Sequence, residues 1–99
     1  MNIIKTKEGS RLTVTLEGSL DATTAYQFDH ELMSSLDGIT ELTLDMEKLD
    51  FVSSAGLRVL LSAQKTMNNQ GKMEIINVCD DVMDIFVVTG FANALTIRK

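Results

Sequence analysis

The 99-residue chain has no proline, one cysteine, one histidine and only 5% aromatic residues. Without proline, and without low-complexity or repeated stretches, nothing in it reads as a linker, and one domain over residues 1–99 is expected. The lone Cys79 excludes an internal disulfide. His30, flanked by Asp29 and Glu31, has no second His or Cys at ligand spacing, so neither a metal nor any other cofactor is expected. The six glycines are dispersed, and none falls into GxxxxGK[ST] or GxGxxG, which leaves out the common phosphate cradles. Positive charge is scarce: nine Lys and Arg against fourteen Asp and Glu give a net charge of −5. That balance argues against nucleic acid or an anionic membrane as the main partner. Long apolar runs are missing as well, since Arg58, Asp84 and Thr89 interrupt the best candidates for a spanning helix. Residues 1–20 lack the apolar core of a signal peptide, so the cytosol is the expected compartment.

What the chain does contain is alternation. Leu12, Val14 and Leu16 interleave with Arg11, Thr13, Thr15 and Glu17, as in a half-buried strand, and Ile3-Ile4 before Lys7-Glu8-Gly9-Ser10 reads as its hairpin partner. Gly18-Ser19 is expected to break that strand. Asp21, Thr23 and Thr24 then offer cap oxygens for a helix carrying Ala25, Phe28, Leu32, Met33 and Leu36, stopped by Asp37-Gly38. A strand over Leu42, Leu44 and Met46 follows, with a loop expected from Glu47 to Ser53. From Ser54 a second helix lines up Leu57, Leu60, Leu61, Gln64 and Met67, closing at Gly71. Met73 to Val78 gives a fourth strand, Asp80-Asp81 opens a third helix ended by Gly90, and Leu95 to Arg98 alternates once more. The order β-β-α-β-α-β-α-β is that of an α/β domain with a mixed, mainly parallel sheet. Because several strands keep a polar face, the helices are expected mostly on one side of the sheet, which disfavours a doubly wound nucleotide fold.

Candidate chemistry is sparse. Ser54 lacks the pair of flanking glycines of a nucleophile elbow, having Gly56 two positions after it but Val52 two before, so a hydrolytic triad is not expected and the chain does not look like an enzyme. Cys79 reads as a structural thiol, because Asp80 and Asp81 beside it disfavour a thiolate. Met33, Met67, Met73 and Met83 read as core filler. Attention falls on Leu49 to Leu61, where Ser53 and Ser54 stand at the head of the second helix. One serine is accounted for by N-capping. The other is not, and Ala55-Gly56 leaves the turn bare, with backbone N–H groups open to another molecule. Asp21 can cap the first helix, touch a partner, or do both. Arg58, one turn after Ser54, can steady a phosphate, meet an acidic partner group, or simply be solvated. Phe51 and Val52 can form an exposed apolar contact, though Phe51 is expected to lie beneath the sheet edge.

Phe51-Val52-Ser53-Ser54-Ala55-Gly56-Leu57-Arg58-Val59-Leu60-Leu61 closely resembles the signature of the STAS-domain anti-sigma factor antagonists, the bacterial partner-switch proteins. Leu16-Glu17-Gly18-Ser19-Leu20-Asp21 looks like that family's G-x-L-D motif, and Thr40 to Asp50 resembles its third strand. Ile85 to Phe91 resembles its late helix, and the likeness spans nearly the whole chain. The resemblance implies a STAS-type domain that binds a serine-kinase anti-sigma factor when unphosphorylated and is released when the kinase phosphorylates one serine, which a PP2C-type phosphatase restores. Aligned on Gly56-Leu57, the acceptor falls at Ser54, with Ser53 where many members carry Asp and Ala55 where they carry Ser or Thr. Asp21, Asp50, Ser53, Ser54, Ala55, Gly56 and Arg58 are the implied partner contacts. Parallel topology should bring Asp21 and Asp50 to the same sheet edge as this helix start. The alternative within the same fold is a STAS module serving a larger assembly as a regulatory or structural subunit, with Ser54 only a cap.

Overall fold

The structure, a computed structural model, describes residues 1–98. Strand β1 (Asn2–Glu8) turns at Gly9, with φ of 61°, into antiparallel β2 (Arg11–Leu20). Helix α1 (Ala22–Met33), strand β3 (Glu41–Val52), helix α2 (Ser54–Gln70), strand β4 (Lys72–Ile76), helix α3 (Asp80–Thr89), a short 3-10 turn at Phe91–Asn93 and strand β5 (Ile97–Arg98) follow. The sheet order is sequential, β1-β2-β3-β4-β5, and β2 through β5 are parallel. Each crossover steps the same way along the sheet, so a common right-handed twist places α1, α2 and α3 on one face. On that face Leu12, Val14, Leu16, Leu42, Leu44, Met46, Met73 and Ile75 are buried with Phe28, Leu60, Met67 and Phe86 from the helices. The other face is bare of helices and polar. Across it Arg11 and Lys72 both reach Glu41, at 2.6 and 3.2 Å, Lys48 reaches Glu17 at 3.6 Å and Arg98 reaches Glu74 at 3.2 Å. The expected one-sided α/β layering is what the structure shows.

Several local expectations fail, three of them for a physical reason that the geometry shows. Residues 47–52 are strand, not loop. Two register shifts against β2 each place one extra residue on β3, so after Met46 the inward positions become Leu49 and Val52 and the period of two disappears. Gly18 does not break β2; with φ of 113° it sits beside the second irregularity while the strand continues to Leu20. Helix α1 ends at Met33 instead of running through Leu36. The hydroxyls of Ser34 and Ser35 both donate to the Glu31 carbonyl, at 3.2 and 2.7 Å, and so compete with the helical ladder. Leu36 is still buried, because the Gln70 side chain donates to the carbonyls of Leu36 and Ile39 at 2.7 Å each and fixes that turn under α2. The last two strands are also shorter than expected: β4 stops at Ile76, before Asn77 at φ of 58°, instead of reaching Val78, and Leu95 is buried but precedes β5.

Past Asp45, the last β3 residue paired with β4, the stretch Met46 to Val52 has β2 as its strand neighbour, and α3 packs against β3. This extension delivers the chain into α2.

Candidate functional site

The two serines that the sequence leaves alike are made different by the geometry. Ser53 is the N-cap of α2, in extended backbone at φ −82°, and its Oγ accepts from the Gly56 N–H at 3.1 Å. Its own N–H donates to the Leu20 carbonyl at 2.8 Å and its carbonyl accepts from Leu57 N–H at 2.9 Å. The backbone N–H and carbonyl of Ser53 are therefore paired, and its Oγ serves as the cap acceptor. Ser54 is the first residue of the helix and is exposed; its hydroxyl has no hydrogen-bond partner among the described residues. It sits where backbone N–H groups lack intrahelical acceptors, and a negative group there is favoured by the helix dipole.

Gly56 has a different part from the one expected. It is buried, and its N–H is taken by the Ser53 cap, so it offers no open donor to another molecule. A Cβ there would lie 2.7 and 2.8 Å from Leu20 Cγ and Cδ2 and 3.2 Å from the Leu20 carbonyl oxygen. The bare position is what lets α2 press against the exit of β2, and Leu20 is the residue that sequence reasoning missed. Its signal was present as the buried-phase hydrophobe ending the β2 alternation. Ala55, half-buried, packs on the core beside it.

Through Leu20 the site also gains Asp21. That side chain caps α1: it accepts from the N–H groups of Thr23 and Thr24 at 2.9 and 2.8 Å, while Thr24 Oγ1 accepts from the Asp21 N–H at 2.8 Å. The Thr24 backbone donor, the largest influence, holds the carboxyl below its ordinary pKa. Asp50, exposed near the end of β3, accepts from Ser19 Oγ at 2.5 Å, which ties the two strand exits together. Arg58 is exposed on α2 and makes no ion pair among the described residues. Phe51 is 45% exposed rather than tucked under the sheet, because the bulged register turns Val52 inward in its place, at 2%. Cys79 is half-buried, its thiol 3.6 Å from the Leu49 carbonyl. Among the described residues no group of three His, Cys, Asp or Glu could hold a metal, and no helix is long and apolar enough to cross a membrane. His30 is exposed on α1, away from any such cluster.

The chain as a whole has counterparts among known proteins. The STAS domain family matches residues 2–99. The chain belongs to that family. BtrV of Bordetella bronchiseptica, a candidate anti-sigma factor antagonist by name, is 30% identical to this STAS domain over 101 residues, covering 100% of the chain and 87% of BtrV. The anti-sigma-B factor antagonist of Staphylococcus aureus is 24% identical over 101 residues, covering 100% of the chain and 94% of that protein. Among solved structures, the antagonist SpoIIAA in unphosphorylated form superposes with a TM-score of 0.84 at 17% identity, covering 99% of this chain and 89% of SpoIIAA. The phosphorylated form of SpoIIAA, from Bacillus, has a TM-score of 0.75 at 16% identity, covering 99% of this chain and 92% of SpoIIAA. At those identities the SpoIIAA structures speak for the STAS fold alone.

Proposed function

We propose that this STAS domain is an anti-sigma factor antagonist, held off its partner by phosphorylation of Ser54 and without catalysis of its own. The observation that carries this reading is the division of labour at the α2 start: Ser53 supplies the cap bond, which leaves the Ser54 hydroxyl exposed and uncommitted. If Ser54 were only a cap, as in a non-switching subunit, its oxygen would be occupied as that of Ser53 is. Two relatives bear names of the same function.

In the unphosphorylated state the domain binds a serine-kinase anti-sigma factor through the α2 start and the adjoining strand exits, Asp21 and Asp50 included, and so frees the sigma factor. The kinase transfers the terminal phosphoryl group of ATP to Ser54 Oγ: the O–P bond to Ser54 forms, the bond to the ADP leaving group breaks, and the hydroxyl proton is released. A PP2C-type phosphatase hydrolyses the ester and returns the hydroxyl. The phosphate adds about −1.5 to −2 charges. At a helix N-terminus that charge is tolerated by the fold, so release comes from repulsion and desolvation at the contact surface and not from unfolding. SpoIIAA, for its part, keeps the fold seen here in its phosphorylated form.

The test is incubation with the cognate anti-sigma kinase and ATP, followed by peptide mapping by mass spectrometry. Phosphate on Ser54, absent in Ser54→Ala, is expected. Phosphate on another residue, or none despite binding, would sink the switch.

A further inference from the structure

Helix α2 is the one helix of this acidic protein without a single Asp or Glu: its sequence, SAGLRVLLSAQKTMNNQ, carries Arg58 and Lys65 as its only charged residues. Elsewhere Arg11, Lys48, Lys72 and Arg98 are each paired with a carboxylate, and Lys5 donates to Ser35 Oγ at 3.2 Å. Among the described residues, Arg58 and Lys65 make no such contact, and both are exposed. Ser54, Arg58, Leu61 and Lys65 fall within about 60° of the helix circumference at roughly 100° per residue. Their face lies opposite the buried one made by Leu57, Leu60, Ala63, Gln64 and Met67. Leu61, which the apolar periodicity assigns to the core stripe, is only half-buried and lies on the outer line.

From this we infer that the outer face of α2 docks an acidic surface of the anti-sigma factor, with Arg58 and Lys65 facing carboxylates roughly 10 Å apart along the helix and Leu61 between them. The inference rests on the antagonist reading and adds the chemistry of the partner to it. Two cations on a chain of net charge −5 are too few for a polyanion but suit a protein surface of a few carboxylates. The arrangement also gives the phosphate a local target: placed one turn before Arg58 at the head of the stripe, about −2 charges outweigh that cation and present the acidic partner with a like charge.

Affinity for the purified small ATP-binding serine kinases encoded in the source genome tests this by titration calorimetry. Wild type and Ser54→Ala are expected to bind one of them alike. Arg58→Glu and Lys65→Glu should each weaken that binding about tenfold, and the wild-type affinity should fall as salt rises. Lys7→Glu, which reverses an unpaired cation at the far end of β1, should bind as wild type. Reversals that bind as wild type would overturn the docking face while leaving the antagonist reading intact. No binding by wild type to any such kinase would overturn both. A homodimer dissolved by the same reversals would also overturn it, since a second copy would then fill the face. Circular dichroism of each variant separates lost contact from lost fold.

Discussion

Side by side in the chain, Ser53 and Ser54 have nearly identical chemistry, and one hydrogen bond separates their prospects. Ser53→Ala removes the oxygen that receives the Gly56 N–H and is expected to cost about 1 kcal/mol, read as a lower midpoint in urea. Ser54→Ala breaks no hydrogen bond of the described residues and should change stability by no more than about 0.5 kcal/mol, while abolishing phosphorylation. Ser54→Asp is expected to hold or slightly raise the melting temperature, because it adds an anion at a helix start, yet to weaken partner binding. A collapsed melting temperature for Ser54→Asp would contradict a switch that works at the surface alone. Gly56→Ala should cost about 1–3 kcal/mol, since the new methyl must displace Leu20 Cγ and Cδ2, or push α2 off the β2 exit. The sequence made the position of the serine pair at a helix start readable, through Gly-Leu and the apolar stripe that follows. Which serine caps was not readable, because either hydroxyl satisfies the same spacing rule and only the backbone angle at Ser53 decides.

At the level of elements, the regular parts of the chain were legible and the irregular ones were not. Alternation in β2 and the first half of β3, and the 3.6-residue stripe of α2, report burial directly. The second half of β3 hides, since two extra residues shift Leu49 and Val52 into the core phase and make a strand look like a loop. Phe51 was misplaced for the same reason. The early end of α1 was hidden by Leu36, whose burial keeps the helical spacing although the backbone has left the helix. Holding that turn falls to Gln70, whose one amide nitrogen serves two carbonyls of α1's exit turn. Gln70→Ala should therefore destabilise by about 1–2 kcal/mol in chemical denaturation, more than an ordinary surface change on α2.

For the molecule as a whole, layering followed from order and alternation together: four strands alternate with three helices, and the polar phase that several strands keep leaves one face for the helices and one for charge. The bare face and the α1 cap also set the acid response. Glu41 is held below its ordinary pKa by Lys72, first, and by Arg11, and Asp21 by the Thr24 backbone donor. Both folded carboxyls bind protons less readily than unfolded ones, so their stabilising effect is present above the ordinary carboxylate range and is lost as pH falls through and below about 4. Thermal melts from neutral to acid pH should show this loss, and Glu41→Gln should flatten part of it; high salt should shrink the Glu41 share because the ion pairs are exposed. One consequence follows from the length of β3. From Met46 to Val52 it outlasts its pairing with β4 by seven residues, roughly 20 Å at full extension, flanked there by β2 and, through the Cys79 thiol 3.6 Å from the Leu49 carbonyl, by the start of α3. Because the Ser54 hydroxyl already stands exposed on a formed helix, a kinase cleft needs no fraying of the chain beforehand, and phosphoryl transfer to Ser54 should gain no speed from mild denaturant.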